Sequence, residues 1–114
     1  MKNINDYNLN TKKLLRAVLE MNPVQYSKEI KLYKSELLQK FPRYSDTAHT
    51  LPNGAFVSIC EHFGLSHDGI LNKIVAYHGV SDKREVERIA RWMDLDLTIN
   101  KIRNQFGGDN FKFP

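Results

Sequence analysis

Three observations predict an all-α fold, a compact bundle of five or six short helices. Apolar residues recur at steps of three or four along most of the chain, the period of one helix face. Helix-ending signals punctuate that pattern at Asn22-Pro23, Pro42, Gly64, His78-Gly79 and Gly107-Gly108. The length of 114 residues suits one domain with one core, and 41% hydrophobic with 26% charged residues is ordinary for a globular chain.

Residues 1–9 are rich in Asn and poor in apolar side chains, and read as a flexible arm. A first helix is expected from Thr11 to Met21, capped by Asn10 or Thr11. Leu14, Leu15, Val18 and Met21 form its inner face, with Lys12, Lys13, Arg16 and Glu20 opposite. Asn22-Pro23 stops it. A second helix fits 25–41, with Tyr26, Ile30, Tyr33, Leu37 and Phe41 as its buried stripe and Lys28, Lys31 and Lys34 to one side. The stretch from Arg43 to Gly54 crowds Ser, Asp, Thr, Pro, Asn and Gly into a long loop, of the kind that is often functional or mobile.

Helices then follow from Ala55 to Phe63 and from about Asp68 to Tyr77. Ser81-Asp82 opens another, because Asp82 and Glu85 have the spacing of a capping box. Its inner face is Val86, Ile89, Ala90 and Met93, and Arg84, Arg88 and Arg91 line the outer one. A last helix, about Leu97 to Phe106, buries Ile99, Ile102 and Phe106 and shows Asn100, Lys101 and Arg103. The globular unit is thus 10–107, and 108–114 is an irregular tail, as though the chain were a domain of something longer.

The net charge is +4 and unevenly spread. Residues 1–43 hold nine Lys/Arg against four Asp/Glu, and the remainder eight against nine. A cationic surface favours polyanions such as nucleic acid, or acidic protein partners; solvated lysines on surface helices are the plain alternative. No apolar run is long enough to cross a membrane, and the polar N-terminus lacks the apolar core of a secretory signal, so the expected compartment is the cytoplasm.

The stretch ICEHFGLSHDGILNKI, residues 59–74, carries the most information. Small Cys60 stands four places before Gly64, and Ile59, Phe63 and Leu65 surround them at helical spacing. Glycine there can take the left-handed conformation that ends one helix and redirects the chain into the next. A similar pattern recurs at 89–102: Ile89-Ala90 matches Ile59-Cys60, Asp94 stands for Gly64, and INKI (99–102) matches LNKI (71–74). A true repeat and a chance echo of amphipathic helices both account for it.

By Cys60, Gly64 and Leu65 this stretch resembles the helix-turn-helix DNA-binding superfamily, with Leu71 and Ile74 spaced like its apolar pair but one place late. The second candidate departs further, with Asp94 in place of glycine and Ile99 and Ile102 one place early. The resemblance implies one and possibly two helix-turn-helix units, with residues 66–73 against the DNA major groove. Asn72 would then pair with adenine, Ser66 or His67 would reach a base edge or phosphate, and Lys73 would favour guanine or phosphate. If the repeat is real, Asn100 and Lys101 are equivalent to Asn72 and Lys73. Arg84, Arg88 and Arg91 have the spacing of a phosphate track, or of an ion-paired surface face with Glu85 and Glu87.

Catalytic and metal signatures do not emerge. Gly107-Gly108 lacks the Lys-Ser/Thr of a phosphate loop. One cysteine with scattered His49, His62, His67 and His78 does not match the paired ligands of structural zinc. Cys60 is expected buried, where a thiol is inert, and no carboxylate pair stands out. Trp92 is expected as a core edge or a contact residue and not as a stacking platform. The expected activity is therefore non-enzymatic, without cofactor, metal or small-molecule substrate. It is sequence-specific binding of double-stranded DNA, as a small regulator or as part of a larger replication or nuclease protein, with Lys28, Lys31, Lys34 and Arg103 adding phosphate contacts. A homodimer would lengthen the short site that one unit reads. The competing expectation is a protein-interaction module, an adaptor or inhibitor docking through a helix face and marked by an exposed apolar patch.

Overall fold

The computed structural model describes residues 9–105, with side chains defined for 9–99, 101 and 102. Five helices follow in order: α1 (Lys12–Leu19), α2 (Pro23–Lys40), α3 (Ala55–His62), α4 (His67–His78) and α5 (Lys83–Gln105). Among the described residues the architecture is all-helical, with a single isolated bridge between Thr11 and Thr50.

Caps set the boundaries. The side chains of Thr11, Asn22 and Ser66 each accept the backbone N–H three residues on, opening α1, α2 and α4. Asn22-Pro23 therefore starts a helix where it was expected only to stop one: Pro23 takes the first helical position, where its missing N–H costs nothing. The end of α1 comes earlier, at Glu20, which adopts φ 58° without being glycine. Its N–H and that of Met21 bond back to Ala17 and Arg16 carbonyls. Gly64 and Gly79 close α3 and α4 with the same pair of returning bonds.

The core forms where α1 packs on α4, α3 on α5, and α4 on α5. Leu14, Leu15, Val18, Phe56, Ile59, Cys60, Ile70, Ile74, Ile89 and Met93 are buried in it. Each large side chain among them contributes about 1.5–3 kcal/mol relative to exposure. On α4 the buried pair is Ile70 and Ile74, with Leu71 only half-buried, so that helix is turned from the expected Leu71–Ile74 face. Trp92 sits at the core edge, its ring edge-on to Phe56 at 5.4 Å. The backbone of α2 stands further out, and aromatic side chains span the distance. Tyr26, Ile30, Tyr33 and Leu37 are buried as a stripe, and Tyr33 stacks on His62 at 3.7 Å.

The two helices expected after Asp82 are one. α5 runs unbroken through Asp94, so the second candidate helix-turn-helix unit does not exist, and Asn100-Lys101 cannot mirror Asn72-Lys73. An aspartate inside a helix costs well under ~1 kcal/mol, too little to break one that packing supports. Ile99 and Ile102 are consequently only half-buried. Of the expected arm, Leu9 is buried in the core and residues 1–8 lie outside the described residues, as do Phe106 and the tail 108–114.

Asp96 ties the fold together. Its carboxylate, 4% exposed, accepts the N–H of Gly54 at 2.7 Å and of Val57 at 3.0 Å. These are the cap and third-position donors of α3, which a capping box normally satisfies locally. Gly54 has no side chain and Val57 has no polar atom, so α5 supplies the acceptor from across the core.

Candidate functional site

The stretch between α2 and α3 does not hang free. Leu51 N–H donates to the Asn10 carbonyl at 3.0 Å, Lys12 N–H to the His49 carbonyl at 2.9 Å, and Asn10 Nδ2 to the Leu51 carbonyl at 2.6 Å. Tyr44 and Leu51 are buried. Pinned to the start of α1, residues 44–49 form the third wall of a groove whose other walls are α1 and α2. The groove holds about 520 Å³.

Four cationic side chains line it, Lys12, Arg16, Lys31 and Lys34, against the single carboxylate of Asp46. Asp46 is already in contact with Lys34. Lys12 was expected on the solvent side of α1 but is 5% exposed. Its ammonium donates to the Ser45 carbonyl and lies 4.8 Å from the centre of the Tyr44 ring. Burial lowers its pKa, Asp46 opposes this, and Arg16 and Lys34 lower it further. The Tyr26 and Tyr44 hydroxyls meet at 2.9 Å on the same wall. Burial, more than this bond, pushes the Tyr26 pKa up; burial likewise raises that of Tyr44.

The residues singled out on and around α4 are dispersed in their roles. Ser66 Oγ is occupied as the α4 cap, accepting Gly69 N–H at 3.1 Å. The imidazole of His67 turns towards α5, with Nε2 at 3.3 Å from Asp94 Oδ1. Lys73 pairs with Glu20 at the end of α1, at 3.1 Å. Asn72 is exposed. Ser66 and Lys73 are occupied by a helix end and a neighbouring carboxylate that a linear pattern does not reveal, while His67 Nε2 is buried beside Asp94 without a hydrogen bond.

On α2, Lys28 and Lys31 are exposed and Lys34 is held by Asp46. Arg84 and Arg91 are exposed at α5, Arg88 is half-buried, and Lys101 is exposed. The side chains of Asn100 and Arg103 lie outside the described ones. Cys60 is fully buried, its thiol pushed up to about 12 by burial and by Asp96 and Glu61. No cluster of three or more metal-ligating side chains occurs among the described residues, and none of their helices is long and apolar enough to cross a membrane.

Comparison with protein-family models, curated proteins and solved structures found no match to this chain.

Proposed function

We propose that the protein binds double-stranded DNA, gripping the sugar–phosphate backbone with the cationic side built by α1 and α2. The observation that carries this reading is the gathering of Lys12, Arg16, Lys31 and Lys34 around one carboxylate, with Lys28 exposed on the same helix. Duplex DNA is a dense line of negative charge, and a protein that neutralises phosphates gains by releasing counterions. The unit α3–turn–α4 supplies the base-reading part of the proposal through Asn72, whose amide suits the adenine edge. With Ser66 capping α4 and Lys73 paired to Glu20, backbone contacts outweigh base contacts. Arg84 and Lys101 extend the phosphate contacts from α5. A cytoplasmic regulator, or the DNA-binding part of a replication or nuclease protein, working as a dimer, is the setting this implies.

Fluorescence anisotropy with random duplex DNA at low and physiological salt tests it. Affinity should fall steeply as salt rises. Changing Lys28, Lys31 and Lys34 together to Gln should flatten the log–log salt slope by roughly two to three. Absence of binding at low salt would overturn the reading. A second reading then takes its place, favoured by Val24 and Leu32, which are 78% and 86% exposed on α2 with Lys28 between them at i, i+4 spacing. An apolar ridge of that kind suits a docked protein with an acidic surface.

A further inference from the structure

The walls of the groove differ from a surface built only to lie along a duplex. Of its four cations, Lys34 meets Asp46 and Lys12 meets the Ser45 carbonyl. Arg16 and Lys31 have no carboxylate within ion-pair distance among the described residues, although both line the groove. Low-dielectric walls around like charges concentrate positive potential. The tyrosine hydroxyls add a donor: two hydroxyls that share one hydrogen bond leave one O–H proton for another acceptor. Pro23, Ile30 and Ala48 also line the groove and give it an apolar part.

We infer that this groove is a binding site for a phosphate monoester, its phosphate among Arg16, Lys31 and Lys12 and its organic body along Pro23, Ile30 and Ala48. A monoester carries close to two negative charges at neutral pH where a backbone diester carries one, which suits a groove where four cations face one carboxylate. Arg16 offers the planar fork that grips two phosphate oxygens, and the lysines act as point charges. The volume of about 520 Å³ falls within the range of small-molecule clefts and leaves room for an organic body beside the phosphate. Burial first, and then Arg16 and Lys34, lower the Lys12 pKa; a bound anion would offset the part due to those like charges. Such a monoester is either the terminal phosphate of a nucleic-acid strand or a free phosphorylated small molecule. The inference shares the cationic side with the duplex-binding reading and does not depend on its outcome.

Calorimetric titration of the full chain with thymidine 5′-monophosphate and with thymidine, at constant ionic strength, is the test. The phosphorylated probe should bind tighter by on the order of tenfold or more. Arg16→Gln and Lys31→Gln, at half-buried and exposed helix positions, should each reduce that preference severalfold while leaving the melting temperature near that of the wild type. Lys28→Gln, outside the groove, should leave it intact and weaken duplex binding only. Equal binding of the two probes, or a preference that neither groove variant moves, would overturn the inference. Anisotropy with a short single strand bearing a 5′-phosphate or a 5′-hydroxyl separates the sources. A strand end that competes better than the nucleotide marks the chain terminus as ligand, and a nucleotide that competes as well marks a free small molecule. Duplex binding without nucleotide binding would remove this inference alone, and the reverse result would remove only the duplex reading.

Discussion

Asp96 and Lys12 are both charged side chains withdrawn from water, and the fold treats them in opposite ways. Asp96 lies inside the α3–α5 contact, where two backbone N–H groups consume its charge. Lys12 lies at the edge of an open groove, has one carbonyl partner and the Tyr44 ring, and shares the single carboxylate of Asp46 with three further cations. The first arrangement closes a structural requirement, because α3 begins without any local acceptor for its leading donors. The second leaves positive charge unspent at a place a solute can reach. A buried charge whose partners are complete points to stability, and one whose partners are incomplete points to a ligand.

The largest expected effect tests the closed half. Asp96→Ala orphans two buried N–H groups, each costing about 1–3 kcal/mol, so chemical denaturation should show a loss of about 2–6 kcal/mol. Asp96→Asn keeps one acceptor oxygen and should lose roughly half as much on the same grounds. Equal stability of wild type and Asp96→Ala would show that the carboxylate does not hold α3.

Lys12→Met sharpens the contrast from the other side. It keeps the length and apolar stem, removes one buried charge from a cationic cluster, and should change stability by no more than about 1 kcal/mol. A loss as large as that of Asp96→Ala would erase the distinction between the two sites.

Thiol labelling reads the same difference locally. Cys60 is fully buried with its thiol pushed up to about 12, so it should react with a thiol reagent only when the α3 region opens. Labelling should accelerate in Asp96→Ala and stay at the wild-type rate in Lys12→Met.

The smallest expected effects are in pH dependence, and they have opposite signs in the two regions. Burial raises the Asp96 pKa against the two N–H bonds that lower it. The stability tied to that proton is complete below the unfolded carboxylate pKa and is lost as pH rises through the folded one. Wild type should therefore gain on Asp96→Asn as pH falls from neutral into the carboxylate range. Lys12 is lowered, so between its folded value and the ordinary lysine value the unfolded chain binds the extra proton. Stability of wild type relative to Lys12→Met should rise with pH across that window. Denaturation midpoints measured over pH, variant against wild type, check both signs.

Much of the fold was legible because it rests on local periodicity. The stripe Tyr26, Ile30, Tyr33, Leu37 and Phe41 is buried as its spacing required, and Gly64 turns the chain between α3 and α4 at the expected place. Errors arose where a local signal was ambiguous. Asp94 resembled a turn residue, but tertiary contacts along α5 outweigh its mild helix penalty. One further signal was available: α3 starts on Gly54 with no capping side chain, while Asp96 interrupts the apolar ladder of Ile89 and Met93. An acceptor was missing in one place and surplus in another, and pairing them predicts the contact.

The candidate site was less legible than the fold. The sequence by itself determined the buried stripe of α2, the turn at Gly64, the single buried thiol and the cationic bias of residues 1–43, because each depends on neighbours within about one or two helical turns. Tertiary structure alone decided that Lys12 is buried, that Lys73 and His67 turn to Glu20 and Asp94, and that residues 44–49 wall a groove. Those outcomes depend on hydrogen bonds and ion pairs between segments that only packing brings together. Periodicity assigns a side chain to a face, but the partner it meets there is set by which segment is packed against that face.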